Sequence, residues 1–245
     1  MTVLDDGNGA ELCLGGVAQS LPPQCGGPGL VGWDWADHAG DFEDVSGTRW
    51  GDFVVVGTFD GTDVTPVEVV PADEVDVPDP VEERDPFATP CPEPDGGWVV
   101  DPSLATERDV DNAFRVARRL EDYASSFVDL SLDPRTPEEM VQGPPIRGPV
   151  PTIVNVSVTS DPQAAEAAIR EVWGGGLCLG EASHTQADLA RVQRQVGELP
   201  GMTSSGSGDD VVDLGVVYDD GSIQAWVDQE YGAGLVRVTG ALVDV

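Results

Sequence analysis

The chain has no lysine. Its 12 basic side chains are all arginine, set against 45 aspartates and glutamates in 245 residues. A net charge of −33 repels phosphate backbones and anionic lipid headgroups, so neither nucleic acid nor an acidic membrane surface is an expected partner. The same charge suits cationic partners, divalent cations or simple solubility. Long apolar runs are missing too. Nothing approaches the roughly 20 apolar residues of a membrane-spanning helix, so no transmembrane segment is expected.

Histidine is nearly absent, with only His38 and His184. His38 lies in an acidic loop with Asp37, Asp41, Glu43 and Asp44, and His184 directly precedes a helix-capping threonine. A Ser-His-Asp triad would need Ser183 or Ser205, and no Gly-x-Ser-x-Gly elbow is present. No catalytic residue is assigned. Four cysteines and two isolated histidines lack the short ligand spacing of a zinc site. The acidic stretches Asp5-Asp6-Gly7-Asn8-Gly9, Asp209-Asp210 and Asp219-Asp220-Gly221 lack EF-hand spacing and read as turns. The glycine-rich segments 174–176 and 205–208 lack the Lys-Ser/Thr of a phosphate loop. No metal and no cofactor is expected.

What the chain does have is an even set of cysteines in irregular or strand-like settings: Cys13, Cys25, Cys91 and Cys178. This pattern reads as two disulfides in an oxidising, extracytoplasmic compartment. Three pairings are possible; Cys13 with Cys25 and Cys91 with Cys178 is the one advanced here. Closing those loops would stabilise the fold by on the order of 3 and 4–5 kcal/mol respectively. Met1-Thr2-Val3-Leu4-Asp5-Asp6 has neither the basic nor the apolar part of a signal peptide. A leader removed upstream is therefore expected, whether it left a lipid anchor or a free end.

Glycine (30) and proline (20) are abundant, which favours turns and short strands. Residues 1–70 carry strand and turn signals only. Ala10–Val17 and Leu30–Trp35 read as strands. Residues 49–59 and 64–70 flank Asp60-Gly61, a strong hairpin signal. This stretch is expected to form a small all-β domain, an OB-like barrel in outline. Residues 71–95, rich in proline and carboxylates, read as an extended linker. Residues 96–245 read as an α+β sandwich with a mostly antiparallel sheet. Thr106 caps a first helix, Asp161-Pro162 opens a second and Thr185 caps a third. Strands are expected at 126–130, 152–159, around Cys178, and at 211–218, 223–228 and 235–240, with loops at 132–149 and 203–208. Trp33 and Trp35, placed on one face of a strand, form with Trp50 a possible ligand-contact surface.

The segments Leu12-Cys13-Leu14-Gly15, Pro22-Pro23-Gln24-Cys25-Gly26-Gly27-Pro28, Gly32-Trp33-Asp34-Trp35 and 49–61 resemble exported proteins of GC-rich Gram-positive bacteria. Many of those are lipoprotein-like and have no assigned activity. The resemblance continues through 91–98 and 173–179. It implies export and oxidised cysteines and brings no catalytic residues. Residues 122–199 are also similar to the pro-domains of secreted bacterial serine proteases, which act as folding chaperones and inhibitors; the loop at 132–149 is longer than in that pattern. The expectation is an exported, envelope-associated, non-enzymatic protein that binds an unknown protein or envelope component. A pro-domain-like inhibitor or chaperone is the alternative.

Overall fold

A computed structural model gives the architecture of residues 1–76, 85, 87–143, 146, 148–208 and 210–245. The fold is α+β, with eleven strands in three mostly antiparallel sheets and five α-helices among the described residues. The chain forms two compact units. The first comprises Met1–Pro80, Val196–Gly206 and Asp213–Val245; the second comprises Val81–Gln195 and Ser207–Val212. Division of the sequence at 70 and 95 left all of 196–245 with the second half, whereas most of that stretch packs with the first. The reason is apolar: Val217, Ala241 and Leu242 pack against the core made by Val3, Leu12, Phe53 and Val64.

In the first unit, β1 (Thr2–Asp5), β2 (Ala10–Leu12), β3 (Glu43–Val45), β4 (Thr48–Phe59) and β5 (Val64–Pro71) form one sheet, ordered β2-β1-β4-β3 with β5 also on β4. The pairings are antiparallel. The 12-residue β4 changes partners along its length, from β1 and β3 over Thr48–Asp52 to β5 over Phe53–Phe59. The expected hairpin forms at Asp60-Gly61. The Asp60 carboxylate accepts from the N–H groups of Thr62 and Asp63, both at 2.8 Å.

The expected barrel does not close. Between β2 and β5 run only single bridges, Glu11 with Gly29 and Leu30 with Val64. Leu30–Trp35 is accordingly not a strand. The chain turns at Gly32 (φ +75°) and enters a 3₁₀ turn at Trp35–His38. Asp34 caps that turn by accepting from the Ala36 N–H at 2.9 Å.

The same unit holds most of β9 (Met202–Gly208) and β10 (Val211–Tyr218), with α5 (Ser222–Tyr231) and β11 (Val236–Leu242). The sheet order is β11-β10-β9. Two expectations fail here. The Gly/Ser segment 203–208 is strand β9, and 223–228 is helical. The alternation of Ile223, Ala225 and Val227 with polar residues imitates a strand. The Asp219 carboxylate nevertheless accepts from the N–H groups of Gly221, Ile223 and Gln224, and Asp220 from that of Ser222. These bonds satisfy the orphan donors of a helix N-terminus, so Asp-Asp-Gly starts a helix instead of turning a hairpin.

The second unit contains α1 (Glu107–Ala117), β6 (Tyr123–Asp129), α2 (Pro137–Gln142), β7 (Ile153–Val158), α3 (Pro162–Arg170), β8 (Gly176–Glu181) and all but the last residue of α4 (Gln186–Val196). Its sheet runs β6-β7-β8. β6 pairs antiparallel with β7, and β7 pairs parallel with β8 through the α3 crossover. α1 and α4 start at Thr106 and Thr185 as expected, each threonine hydroxyl bonding the aspartate three residues on. α2 lies inside the expected loop 132–149, capped by Thr136 and Glu139. Val154, Val156 and Val158 face the core built with Ala113, Ala117, Ile169 and Trp173, while Ile153 and Cys178 face the other side with Trp98.

The linker expected at 71–95 lies partly outside the described residues, at 77–84 and 86. Before those residues, β5 runs to Pro71 and a 3₁₀ turn occupies Ala72–Glu74. After it, the chain lies on the β6-β7-β8 sheet. Phe87 meets Phe127 edge to face at 6.2 Å, and the Thr89 N–H donates to Asp129 at 2.7 Å.

Candidate functional site

Both disulfides pair as expected, Cys13 with Cys25 and Cys91 with Cys178, and no cysteine is free among the described residues. Two oxidised pairs assign the protein to an oxidising, extracytoplasmic environment. No helix among the described residues is long and apolar enough to cross a membrane.

The segment closed by the first disulfide borders a groove of the first unit. Beyond Cys13 the chain folds back, and Gly26–Pro28 lies against Leu12–Leu14. The Leu12 N–H donates to the Pro28 carbonyl at 2.9 Å, and the Leu14 N–H to that of Gly26 at 3.1 Å. The contact is close enough to require glycine at 27, where a Cβ would stand 1.9 Å from the Leu12 carbonyl oxygen. The returning strip walls a groove of about 670 Å³. Phe59 and Thr62 of the β4–β5 hairpin line it, with Met202 of β9, Tyr218 of β10 and Ile223 of α5. Phe59 and Tyr218 meet edge to face at 6.2 Å. The Tyr218 hydroxyl donates to Asp244 at 3.0 Å, which holds the phenol above its ordinary pKa.

A smaller apolar hollow of about 290 Å³ shares Pro200, Val216 and Ile223 with this groove and extends it to Trp226. Trp226 is 42% exposed although it is a large aromatic side chain, and it touches Tyr231 edge to face at 6.0 Å. Among the described residues, no charged residue, histidine or cysteine lines either hollow. The chemistry on offer is therefore apolar contact, backbone groups, hydroxyls and an open indole.

The tryptophans singled out from the sequence lie elsewhere. Trp35 is buried, and its indole N–H donates to Asp5 at 3.1 Å. Burial raises the Asp5 carboxyl, but hydrogen bonds from Gly7, Gly9 and Trp35 and the charge of Arg49 outweigh it and hold it below the usual range. Trp33 is half-buried, stacked on His38 at 4.3 Å and edge-on to Phe53 at 5.2 Å. Trp33 and Trp35 thus share the core with Phe53. Trp50 stands half-buried on β4, across from Leu4 and Glu43, and the three do not form one open aromatic face.

His184 lines a cleft of about 400 Å³ in the second unit, with Ser125, Ser157, Glu181 and Asp210. Asp210, at φ +69°, sets its carboxylate on the backbone N–H groups of Ser183 and His184. Partial burial raises that carboxyl, but hydrogen bonds from Ser183, through backbone and hydroxyl, and from His184 bring it below the usual range. The imidazole Nδ1 lies 3.3 Å from the same carboxylate, without hydrogen-bond alignment. The Asp210 carboxylate thus holds the backbone N–H groups of Ser183 and His184, whereas the acid of a serine triad is hydrogen-bonded to the imidazole. The constellation fastens the loop ahead of α4.

Sequence reasoning missed the groove because its walls come from stretches far apart in the chain. The one local signal was Ile223 and Trp226 beside Asp219-Asp220-Gly221, obscured by their assignment to a strand. No protein-family model matches the chain, and no curated protein matches it.

Proposed function

We propose that this is an exported, envelope-associated protein that binds a partner through the first-unit groove and catalyses no reaction. The observation that carries the reading is the groove itself. It is large, walled by a disulfide-closed strip, and lined by residues that make contacts rather than move protons. Concave, mainly apolar hollows with a few placed polar groups are the usual form of binding sites. An exposed tryptophan at one end supplies the kind of side chain that dominates interface energies. The two disulfides support work outside the cytoplasm, either secreted or held at the outer face of the membrane.

The test is position-specific photo-crosslinking in the producing cell. A photoreactive residue replacing Thr62, inside the groove, should capture one envelope component. The same residue replacing Val67, an exposed position on β5 away from the groove, should not. Equal labelling from both positions, or none from Thr62, rejects the groove as the binding site.

The strand and helix order β6-β7-α3-β8-α4 supports the second reading, a pro-domain-like inhibitor or chaperone. That reading fails if a large excess of the protein leaves secreted subtilisin-type proteases uninhibited.

A further inference from the structure

Resting on the groove reading, we infer that the occupant is a peptide segment of a partner protein in which apolar side chains alternate with arginine or lysine. Three observations converge on it. Among the described residues the lining of the groove and its extension is uncharged, so it offers no carboxylate, imidazole or thiolate to a metal ion. Several residues flanking the lining in sequence are acidic. Asp60 precedes Gly61 and Thr62, Asp219 and Asp220 separate Tyr218 from Ile223, and Glu198 precedes Leu199. Asp60, Asp220 and Glu198 are exposed. Hydrogen bonds from Asp63 and Thr62 to Asp60, and from Ser222 to Asp220, hold both carboxyls below their ordinary range, so both are fully ionised at neutral pH.

The third observation is how few cations the unit carries. The first unit contains two arginines, and each is engaged by its own acid: Arg49 on Asp44 at 3.2 Å and Arg237 on Asp213 at 2.7 Å. With two cationic side chains against many carboxylates in the unit, acidic groups beside the lining remain for the cations of a partner to meet. Arginine and lysine have the matching anatomy, an apolar stem for the uncharged lining and a cationic tip for the rim. The open indole of Trp226 adds a cation–π surface, on which guanidinium groups stack. Charge complementarity of this kind speeds encounter and selects partners more than it deepens affinity.

The experiment uses the full chain and fluorescein-labelled octapeptides of strictly alternating Arg-Leu, Glu-Leu and Arg-Ser, read by fluorescence anisotropy. Arg-Leu should bind at micromolar concentration and weaken at least tenfold between 50 and 300 mM salt, each figure set on the order of magnitude usual for charge-steered association. Glu-Leu and Arg-Ser should bind at least about tenfold more weakly. Trp226→Ala keeps the net charge and removes an exposed side chain, so the fold should survive, as circular dichroism would verify. It should cost the Arg-Leu peptide about tenfold in affinity, the scale of one interface anchor.

If Glu-Leu matches Arg-Leu and both are lost in Trp226→Ala, the groove reading stands and the cationic inference falls. If Arg-Leu binds equally to wild type and Trp226→Ala, attraction is diffuse and both fall. Absence of binding by all three peptides also overturns the inference. So does a dimer in light scattering that Trp226→Ala dissociates, because the groove's occupant would then be a second copy.

Discussion

Replacing Cys91 and Cys178 together by alanine tests what pins the segment 87–98 to the second unit. The two residues are 87 positions apart. A loop of that length removes about 15 cal/mol/K of denatured-state entropy, or about 4.6 kcal/mol at 25 °C. The same relation for Cys13 and Cys25, 12 apart, gives about 2.8 kcal/mol. The assay is guanidinium unfolding followed by tryptophan fluorescence and circular dichroism. Trp98 and Trp173 lie in second-unit cores, whereas Trp35 reports the core of the first. Removing the long-loop disulfide should therefore lower the second-unit transition by about 4–5 kcal/mol and leave the first nearly unchanged. The short-loop variant should show the reverse pattern at about 3 kcal/mol. Losses below about 1 kcal/mol from the long loop, or equal losses from both, would refute loop closure as the source of stability.

Two further outcomes follow from the second unit. Trp173 is fully buried, and its indole N–H donates to the Gly176 carbonyl at 2.7 Å. Trp173→Ala should cost about 3–5 kcal/mol in chemical denaturation, and a loss under about 1 kcal/mol would show the site to be collapsible. Asp129 is buried and accepts from the N–H groups of Thr89 and Ser131 at 2.7 Å each. Burial raises its carboxyl, but those bonds outweigh it and lower the folded-state value below the ordinary 3.8. Its contribution is therefore complete above that value and fades as the pH falls through the lowered one. Asp129→Asn should cost about 1–3 kcal/mol at pH 7, with the gap to wild type narrowing below pH 3.8. Unfolding at pH 7 and pH 3 with an identical gap would show the charge to be irrelevant.

Features decided by neighbours in sequence were legible. Asp60-Gly61 turns a hairpin because its carboxylate and its glycine act within four residues. Asp161-Pro162 opens α3 with the Asp161 carboxylate on the Ala164 N–H at 3.0 Å. Thr136 and Glu139 are an equally local capping signal, hidden by the prolines around them. At 223–228, alternating hydrophobicity pointed to a strand while capping chemistry specified a helix, and the caps decided. That the cysteines form two disulfides was legible from their setting, while the pairing was one choice among three. The open sheet, the burial of Trp33 and Trp35 and the course of 196–245 depend on contacts between distant segments, which no local pattern encodes. For the same reason the groove was invisible, since Gly27, Thr62, Met202 and Ile223 meet only after folding.

The first unit is discontinuous: its early strands take part of their apolar cover from Val217, Ala241 and Leu242. Delivered N-terminus first, the middle of the protein arrives nearly whole, and β1 to β5 wait for the final stretch of chain. Until then Phe59 lacks Tyr218, and half-built apolar surface of this kind invites misassembly. Trimming residues from the carboxyl end should accordingly injure the portion that was made first.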